Sequence, residues 1–356
     1  MEPRFRIGDR TIGSDAPCYI VAELSANHNQ NFDQAVRIVR AAKDAGADAV
    51  KLQTYTADTI TLRSDKECFR ITGGTLWDGR TLHDLYQEAF TPWEWQPKLK
   101  EIANELRMDL FSSAFDDSAV DFLERMNVPA HKVASCELVD IGLIQKMART
   151  GKPLMMSTGM ASEDEISEAI EAARGAAPGN GPAQIALLKC TSAYPAPPEE
   201  ANLLTIPELA RRFSCPVGLS DHTMGIAVPV AAVALGACII EKHLCLRRAD
   251  GGPDGAFSLE PQEFKAMVDA VRTAEKALGA VQFASGPREA GSRKFRRSLF
   301  VVEDIKKGEL FTKQNVRSIR PADGLHPRHL NEVLGKRAAC DVERGTPLGW
   351  AIVARS

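Results

Sequence analysis

Residues 217–243 read VGLSDHTMGIAVPVAAVALGACIIEKH. Two short apolar runs, at Val217–Leu219 and Ile239–Lys242, flank a helical stretch at Ile226–Leu235. Strand, helix and strand in that order make one parallel crossover unit. Each run stops in polar residues, Ser220-Asp221-His222 after the first and Glu241-Lys242-His243 at the end of the second.

The same pattern runs back to the N-terminus. Strands are expected at Tyr19–Ala22, Ala49–Gln53, Asp109–Phe111, Lys132–Ala134, Pro153–Met156 and Ile185–Lys189. Helices are expected at Phe32–Ala45, Trp93–Arg107, Ser118–Met126, Ile141–Arg149, Glu163–Arg174 and Leu203–Arg212, with a last one at Pro261–Leu278. A long insertion, Thr54 to Thr91, follows the second strand. Every strand end carries polar groups: Glu23, Lys51 with Gln53, Ser112 with Ser113, Ser135 with Glu137, Ser157 with Thr158, Thr191 with Ser192, and the two clusters above. This predicts a (β/α)8 TIM barrel over residues 1–280, whose strand C-termini share one rim and build the active site there. The runner-up, a doubly wound open sheet, does not demand polar groups at all eight ends.

Val281–Arg293 is rich in Gly, Ser and charge and reads as a linker. Residues 294–356 turn to short β-like runs. There Glu303-Asp304-Ile305-Lys306-Lys307-Gly308-Glu309-Leu310 resembles Cys340-Asp341-Val342-Glu343-Arg344-Gly345-Thr346-Pro347, 37 residues later, so a small pseudo-symmetric β domain is expected. From Arg288 onward Lys and Arg outnumber Asp and Glu by 15 to 8, although the whole chain has a net charge of −3. Few aromatics accompany that basic tail, which favours docking or anion cover over nucleic acid. The eight cysteines include no Cys-x-x-Cys pair, the start lacks the apolar run of a signal peptide, and no stretch is apolar enough to span a bilayer. Reduced thiols, a cytoplasmic setting and no membrane partner are the expectations.

Several residues suit chemistry at such a rim. One histidine at a strand end is most simply a structural hydrogen-bonder, but His222 and His243 end neighbouring strands, where two imidazoles can share a divalent ion and leave positions open. Lys51, Lys132 and Lys189 fall in or near strands, where a lysine needs a partner such as a phosphate or carboxylate. The serines at strand ends add neutral donors around the same anion. Glu23 and Glu137 suit acid–base work or a sugar hydroxyl, with a salt bridge to a strand lysine as the plainer role for Glu137. Asp254, in Gly251-Gly252-Pro253-Asp254-Gly255, and Tyr194, before Pro195, hang near the same rim. These residues suggest a metal-assisted enzyme acting on an anion, without specifying the reaction.

Ala22-Glu23-Leu24-Ser25-Ala26-Asn27-His28, Lys51-Leu52-Gln53, Ser157-Thr158-Gly159-Met160, Lys189-Cys190-Thr191-Ser192-Ala193-Tyr194-Pro195, Gly218-Leu219-Ser220-Asp221-His222-Thr223 and Glu241-Lys242-His243, with Gly252-Pro253-Asp254, resemble the sialic acid synthase family. The resemblance runs in order along nearly the whole chain, and the tail, with Asp304–Glu309 and Ile319-Arg320-Pro321, is similar to that family's antifreeze-like (SAF) domain. It implies condensation of phosphoenolpyruvate with an acetamido sugar. By the resemblance, Lys51, Gln53, Ser112, Lys132, Ser135, Ser157, Ser192 and Ser220 hold phosphoenolpyruvate. His222 and His243 hold a divalent ion, typically manganese, with magnesium or cobalt as alternatives. Glu23, Glu137 and Asp254 serve catalysis, while Asn27, Tyr194 and Arg320 hold the sugar. Arg320 is expected to come from the partner of a homodimer, its tail lying over the active site. Ser192 stands where many neuraminate-forming members carry Asn, so the donor there is shorter. Gly74-Thr75-Leu76-Trp77, Leu82-His83-Asp84-Leu85-Tyr86, Thr91-Pro92-Trp93-Glu94-Trp95 and Gly324-Leu325-His326-Pro327 resemble the branch that makes pseudaminic acid from a 2,4-diacetamido-2,4,6-trideoxy-L-altrose. The alternatives are a neuraminic or legionaminic acid synthase using a mannose-series sugar, and a non-enzymatic carbohydrate-binding module. Trp77 and Phe90 could line an apolar pocket for the sugar's methyl, though core packing is the plainer role for both.

Overall fold

The computed structural model describes residues 5–179, 183–283 and 286–354. The chain divides into two compact units, residues 1–279 and 280–356.

The first unit opens with an antiparallel hairpin that the sequence reading missed, β1 (Phe5–Ile7) and β2 (Arg10–Ile12). Its Phe5, Ile7 and Ile12 are buried in the main core. Arg10 reaches Asp48 and Asp109, and the Arg6 amide donates to Gln184. All three partners stand at strand beginnings, so the hairpin lies at the end opposite the catalytic rim.

Eight parallel strands then follow: β3 (Tyr19–Glu23), β4 (Ala49–Thr54), β5 (Asp109–Ala114), β6 (His131–Val133), β7 (Leu154–Ser157), β8 (Ile185–Cys190), β9 (Val217–Asp221) and β10 (Ile239–His243). They pair in chain order, and β10 pairs with β3 to close the barrel. Closure excludes the open sheet. β3, β9 and β10 are buried at every position, as strands covered on both faces must be.

The covering helices form where the sequence period is helical. The helix Phe32–Asp44 buries Ala35, Ile38, Val39 and Ala42, one stripe at spacings of three and four, and Asn31 caps it by accepting from the Gln34 amide. Ile38 is 1% exposed, so Ile38→Ala would cost about 2–5 kcal/mol. The helix Glu163–Ala176 starts in a reciprocal Ser162–Glu165 capping box. The insertion holds the helices Ala57–Ile60 and Leu82–Ala89 and a short turn at Glu67–Phe69.

In the second unit β11 (Ser298–Val301) pairs antiparallel with β12 (Val316–Ile319) over a small core that includes Leu299, Val301, Phe311, Val316, Val333 and Leu348. The repeat seen in the sequence becomes a local two-fold. Ile305 and Val342 exchange both backbone hydrogen bonds at 2.9 and 2.8 Å. The Asp304 carboxylate accepts from the Arg344 amide and the Asp341 carboxylate from the Lys307 amide, each at 2.8 Å. Gly308 and Gly345 hold φ of 88° and 90°, a turn conformation that glycine adopts without strain. Within the expected linker Pro287–Ala290 is a helical turn, and Gly291–Phe295 is a 3-10 turn. Positions 284 and 285 of that linker lie outside the described residues.

Candidate active site

Side chains alternate along a strand, and the register of the closed barrel sorts every one of them. Lys51 and Gln53 of β4 pair with Phe111 and Ser113 of β5, and Ser113 pairs with Lys132 of β6. Continuing round, Ser157, Cys190, Ser220, Glu241 and His243 fall on the same inner face. Lys51, Ser113, Lys132, Ser157, Cys190, Ser220, Glu241, His222 and His243 all line one small void at the top of the barrel.

This floor is densely charged. Lys51 Nζ lies 3.0 Å from Glu23 and 3.2 Å from Glu241. Burial pushes the ammonium down, but the two carboxylates outweigh it and hold Lys51 above its ordinary value. Burial raises Glu23, whereas on Glu241 it is overcome by Lys51, Lys132 and the Ser220 hydroxyl, so Glu241 is the ionised partner. Lys132 donates to Ser157 Oγ at 2.7 Å, and burial pulls it down to about 8. Gln53 donates to Glu23 and to Ser25 Oγ.

Above the floor opens a cavity of about 550 Å³. Ser135, Glu137, Ser192, Tyr194, Asp254 and His243 line its lower part, and the insertion supplies Ile60, Ile71, Trp77, Leu82, Leu85 and Tyr86. Glu137 is pushed up to about 7 by burial. Burial also raises Asp254, which accepts from Ser25 Oγ and, at 3.2 Å, from the Ala26 amide. Tyr194 stacks against His222 with centroids 4.3 Å apart. Gly159 leaves room for two of these serines: a Cβ there would lie 2.4 Å from Ser192 Oγ and 2.7 Å from Ser135 Oγ, so both hydroxyls would have to move.

Three expected site residues are corrected. Ser112 points outward, where its hydroxyl meets Thr54 Oγ1 at 2.6 Å; strand alternation gives the inward place to Ser113. Asn27 lines neither cavity, its amide donating to Leu244 O and Ser258 Oγ to brace two loops. Lys189 lies on the outer face of β8 and donates to Cys190 O and Thr191 Oγ1. Arg320 follows β12 in the second unit and is exposed. Ser113 was expected only as one of several strand-end serines, whereas Glu241, Cys190 and Ser25 were not expected in the site. Trp77 does line the cavity, its Nε1 donating to Pro253 O at 3.0 Å, while Phe90 does not.

His222 and His243 face one another with ring centroids 5.4 Å apart. His222 Nδ1 meets the Thr191 carbonyl at 2.9 Å, so this nitrogen carries the proton and Nε2 is left as a lone-pair donor. His243 is held neutral, well below its ordinary value, by burial and the cations around it, and its Nδ1 is buried without a partner. Burial pushes His222 down, but Cys190, the Thr191 carbonyl and Glu241 outweigh it and raise it above its ordinary value. Two imidazoles beside a polar void fit a divalent ion, which takes them in their neutral form and leaves its other positions open. Among the described residues no third His, Cys, Asp or Glu completes a group with them.

The NeuB family profile matches residues 38–283 and the SAF domain profile residues 296–354. The chain is 45% identical over 341 residues to the pseudaminic acid synthase of Helicobacter pylori, covering 96% of this chain and 99% of that one. It is 46% identical over 335 residues to the pseudaminic acid synthase of Campylobacter jejuni, covering 94% and 96%. The crystal structure of N-acetylneuraminic acid synthetase from Leptospira borgpetersenii, in complex with citrate, superposes with a TM-score of 0.72 at 30% identity, over 82% of this chain and 95% of that one. With the catalytic barrel matched over most of its length and the tail matched separately, this chain belongs to the NeuB family of phosphoenolpyruvate-condensing synthases, with a C-terminal SAF domain.

Proposed function

We propose that this protein condenses phosphoenolpyruvate with 2,4-diacetamido-2,4,6-trideoxy-L-altrose to give pseudaminic acid and phosphate. The observation that carries the reading is one continuous site with a cationic floor and an apolar wall. Lys51, Lys132 and the serines suit a phosphate and a carboxylate, and Ile60, Ile71, Leu82, Leu85 and Trp77 suit the methyl end of a deoxy sugar. The two relatives above carry the same name.

In this reading C3 of phosphoenolpyruvate attacks the aldehyde carbon of the open-chain sugar. Water adds at C2, and phosphate leaves with cleavage of its C–O bond. Lys51, Lys132, Ser135, Ser157, Ser192 and Ser220 bind the phosphate and carboxylate, with Ser113 in place of Ser112. His222 and His243 would hold the divalent ion, to which we assign manganese, and its chemistry there is polarisation of the aldehyde oxygen. Glu241 offsets the positive character that develops at C2, and Glu23, raised by burial beside it, serves as an acid. Glu137, poised near neutrality, exchanges the proton. Tyr194 and Asp254 orient the sugar. We extend the reading to a cytoplasmic homodimer in which Arg320 of the partner subunit contacts an acetamido group, a place that accounts for the basic tail.

Phosphate release with manganese tests the reaction. The L-altrose sugar is expected to support release, and N-acetylmannosamine and the 2,4-diacetamido-trideoxy-mannose are not. Release with a mannose-series sugar alone overturns the branch, and no release with any sugar overturns the synthase reading.

A further inference from the structure

Asp221 and Lys242 each precede one of the two candidate ligand histidines. They are direct cross-strand partners of β9 and β10. Alternation turns them to the outer face, away from the void that His222 and His243 line. There Lys242 Nζ meets Asp221 Oδ2 at 2.5 Å, with the side chains 0% and 2% exposed. The pair also grips the turn that carries His222. Asp221 Oδ1 accepts from the Thr223 amide at 3.0 Å and the Thr223 hydroxyl at 2.8 Å, and Lys242 Nζ donates to the Thr223 carbonyl. On the far side the Ala196 amide donates to the His222 carbonyl at 2.9 Å.

A buried ion pair adds little net stability over apolar residues of the same shape. What this one does add is a fixed geometry: one hydrogen bond and an ion pair join residues 221–223 to the side chain just before His243, and two more hydrogen bonds hold that turn together. We infer that Asp221 and Lys242 are positioning residues that set the separation of His222 and His243 for a shared divalent ion. The inference rests on the two-histidine reading of the metal site. Neither residue touches the void, so both act through the backbone of their neighbours.

The test is the affinity of the purified chain for manganese alone, read from the free-ion signal in electron paramagnetic resonance, beside a thermal melt. His222→Ala is the control that must abolish binding. Asp221→Asn and Lys242→Met are expected to weaken manganese binding about tenfold, the low end of the loss when a ligand's support is removed. The double variant Asp221→Leu/Lys242→Met is expected to regain melting temperature and keep the weak affinity. Should a single variant fail to fold, Thr223→Val, which removes the hydrogen bond that the Thr223 hydroxyl donates to Asp221, must still weaken binding severalfold. Wild-type affinity in any of these folded variants, or affinity that returns with the melting temperature in the double variant, overturns the positioning role. A wild-type chain that binds no manganese overturns the two-histidine reading and this inference with it, which separates the two failures.

Discussion

Lys51 on β4 reaches past the intervening strand to lie 3.2 Å from Glu241 on β10. The contact passes over the inner face of β3, so one cation balances Glu241 and Glu23, which lies on the strand between them. An arriving anion must share that ammonium. Lys51→Met is therefore expected to remove phosphoenolpyruvate binding and also to destabilise the fold, since a broken buried pair costs about 3–5 kcal/mol. Denaturant unfolding and a phosphoenolpyruvate titration check both. A variant as stable as wild type would show that Glu23 and Glu241 need no cation.

Binding of phosphoenolpyruvate should take up protons near pH 8. Burial holds Lys132 down at about 8 and Glu137 up at about 7, so above those values one is neutral and the other ionised. A bound anion favours the protonated form of each, raising both values, and below about 7 both are already protonated. Uptake is thus expected near pH 8 and fades as pH falls towards 6. Calorimetry in two buffers of different ionisation enthalpy measures it, and Glu137→Gln should reduce it. A heat independent of buffer at pH 8 would count against both assignments.

Trp77→Ala is expected to raise the KM for the sugar about tenfold and leave that for phosphoenolpyruvate near wild type, because a buried aromatic contact is worth about 1–2 kcal/mol. The indole lies over Tyr194 at 5.7 Å and Phe257 at 6.4 Å on the apolar side of the cavity. Arg320→Ala should show the same split if it serves the sugar from the partner's tail. Steady-state kinetics with each substrate varied in turn distinguishes this from an equal rise in both constants, which would move the residue out of the sugar site.

In the second unit, Asp304→Ala and Asp341→Ala should lower the melting temperature by similar amounts, Asp341 slightly more because it also holds Lys306 at 3.3 Å in an exposed ion pair. Each carboxylate accepts one amide at 2.8 Å across the local two-fold. A large loss at one position and none at the other would show that the two halves do not share the load.

By itself the sequence determined the barrel, the family and most of the inward residues. Apolar runs ending in polar clusters need only short-range order to be read, and helix spacing and caps, such as Asn31 before Phe32–Asp44, are local signals. His222, His243, Lys51 and Lys132 were legible because each ends or interrupts an apolar run. Only the tertiary structure decided which of two adjacent serines faces the lumen, because the inward phase of β5 follows from its pairing with β4 and not from its own residues. The same holds for Glu241, whose partner Lys51 is remote in sequence, and for Asn27, which was read as a sugar ligand and is held by a backbone carbonyl and a serine from a distant loop. The hairpin Phe5–Ile7 and Arg10–Ile12 was missed because three-residue strands carry too little period to be seen; its burial against the barrel is what makes it form.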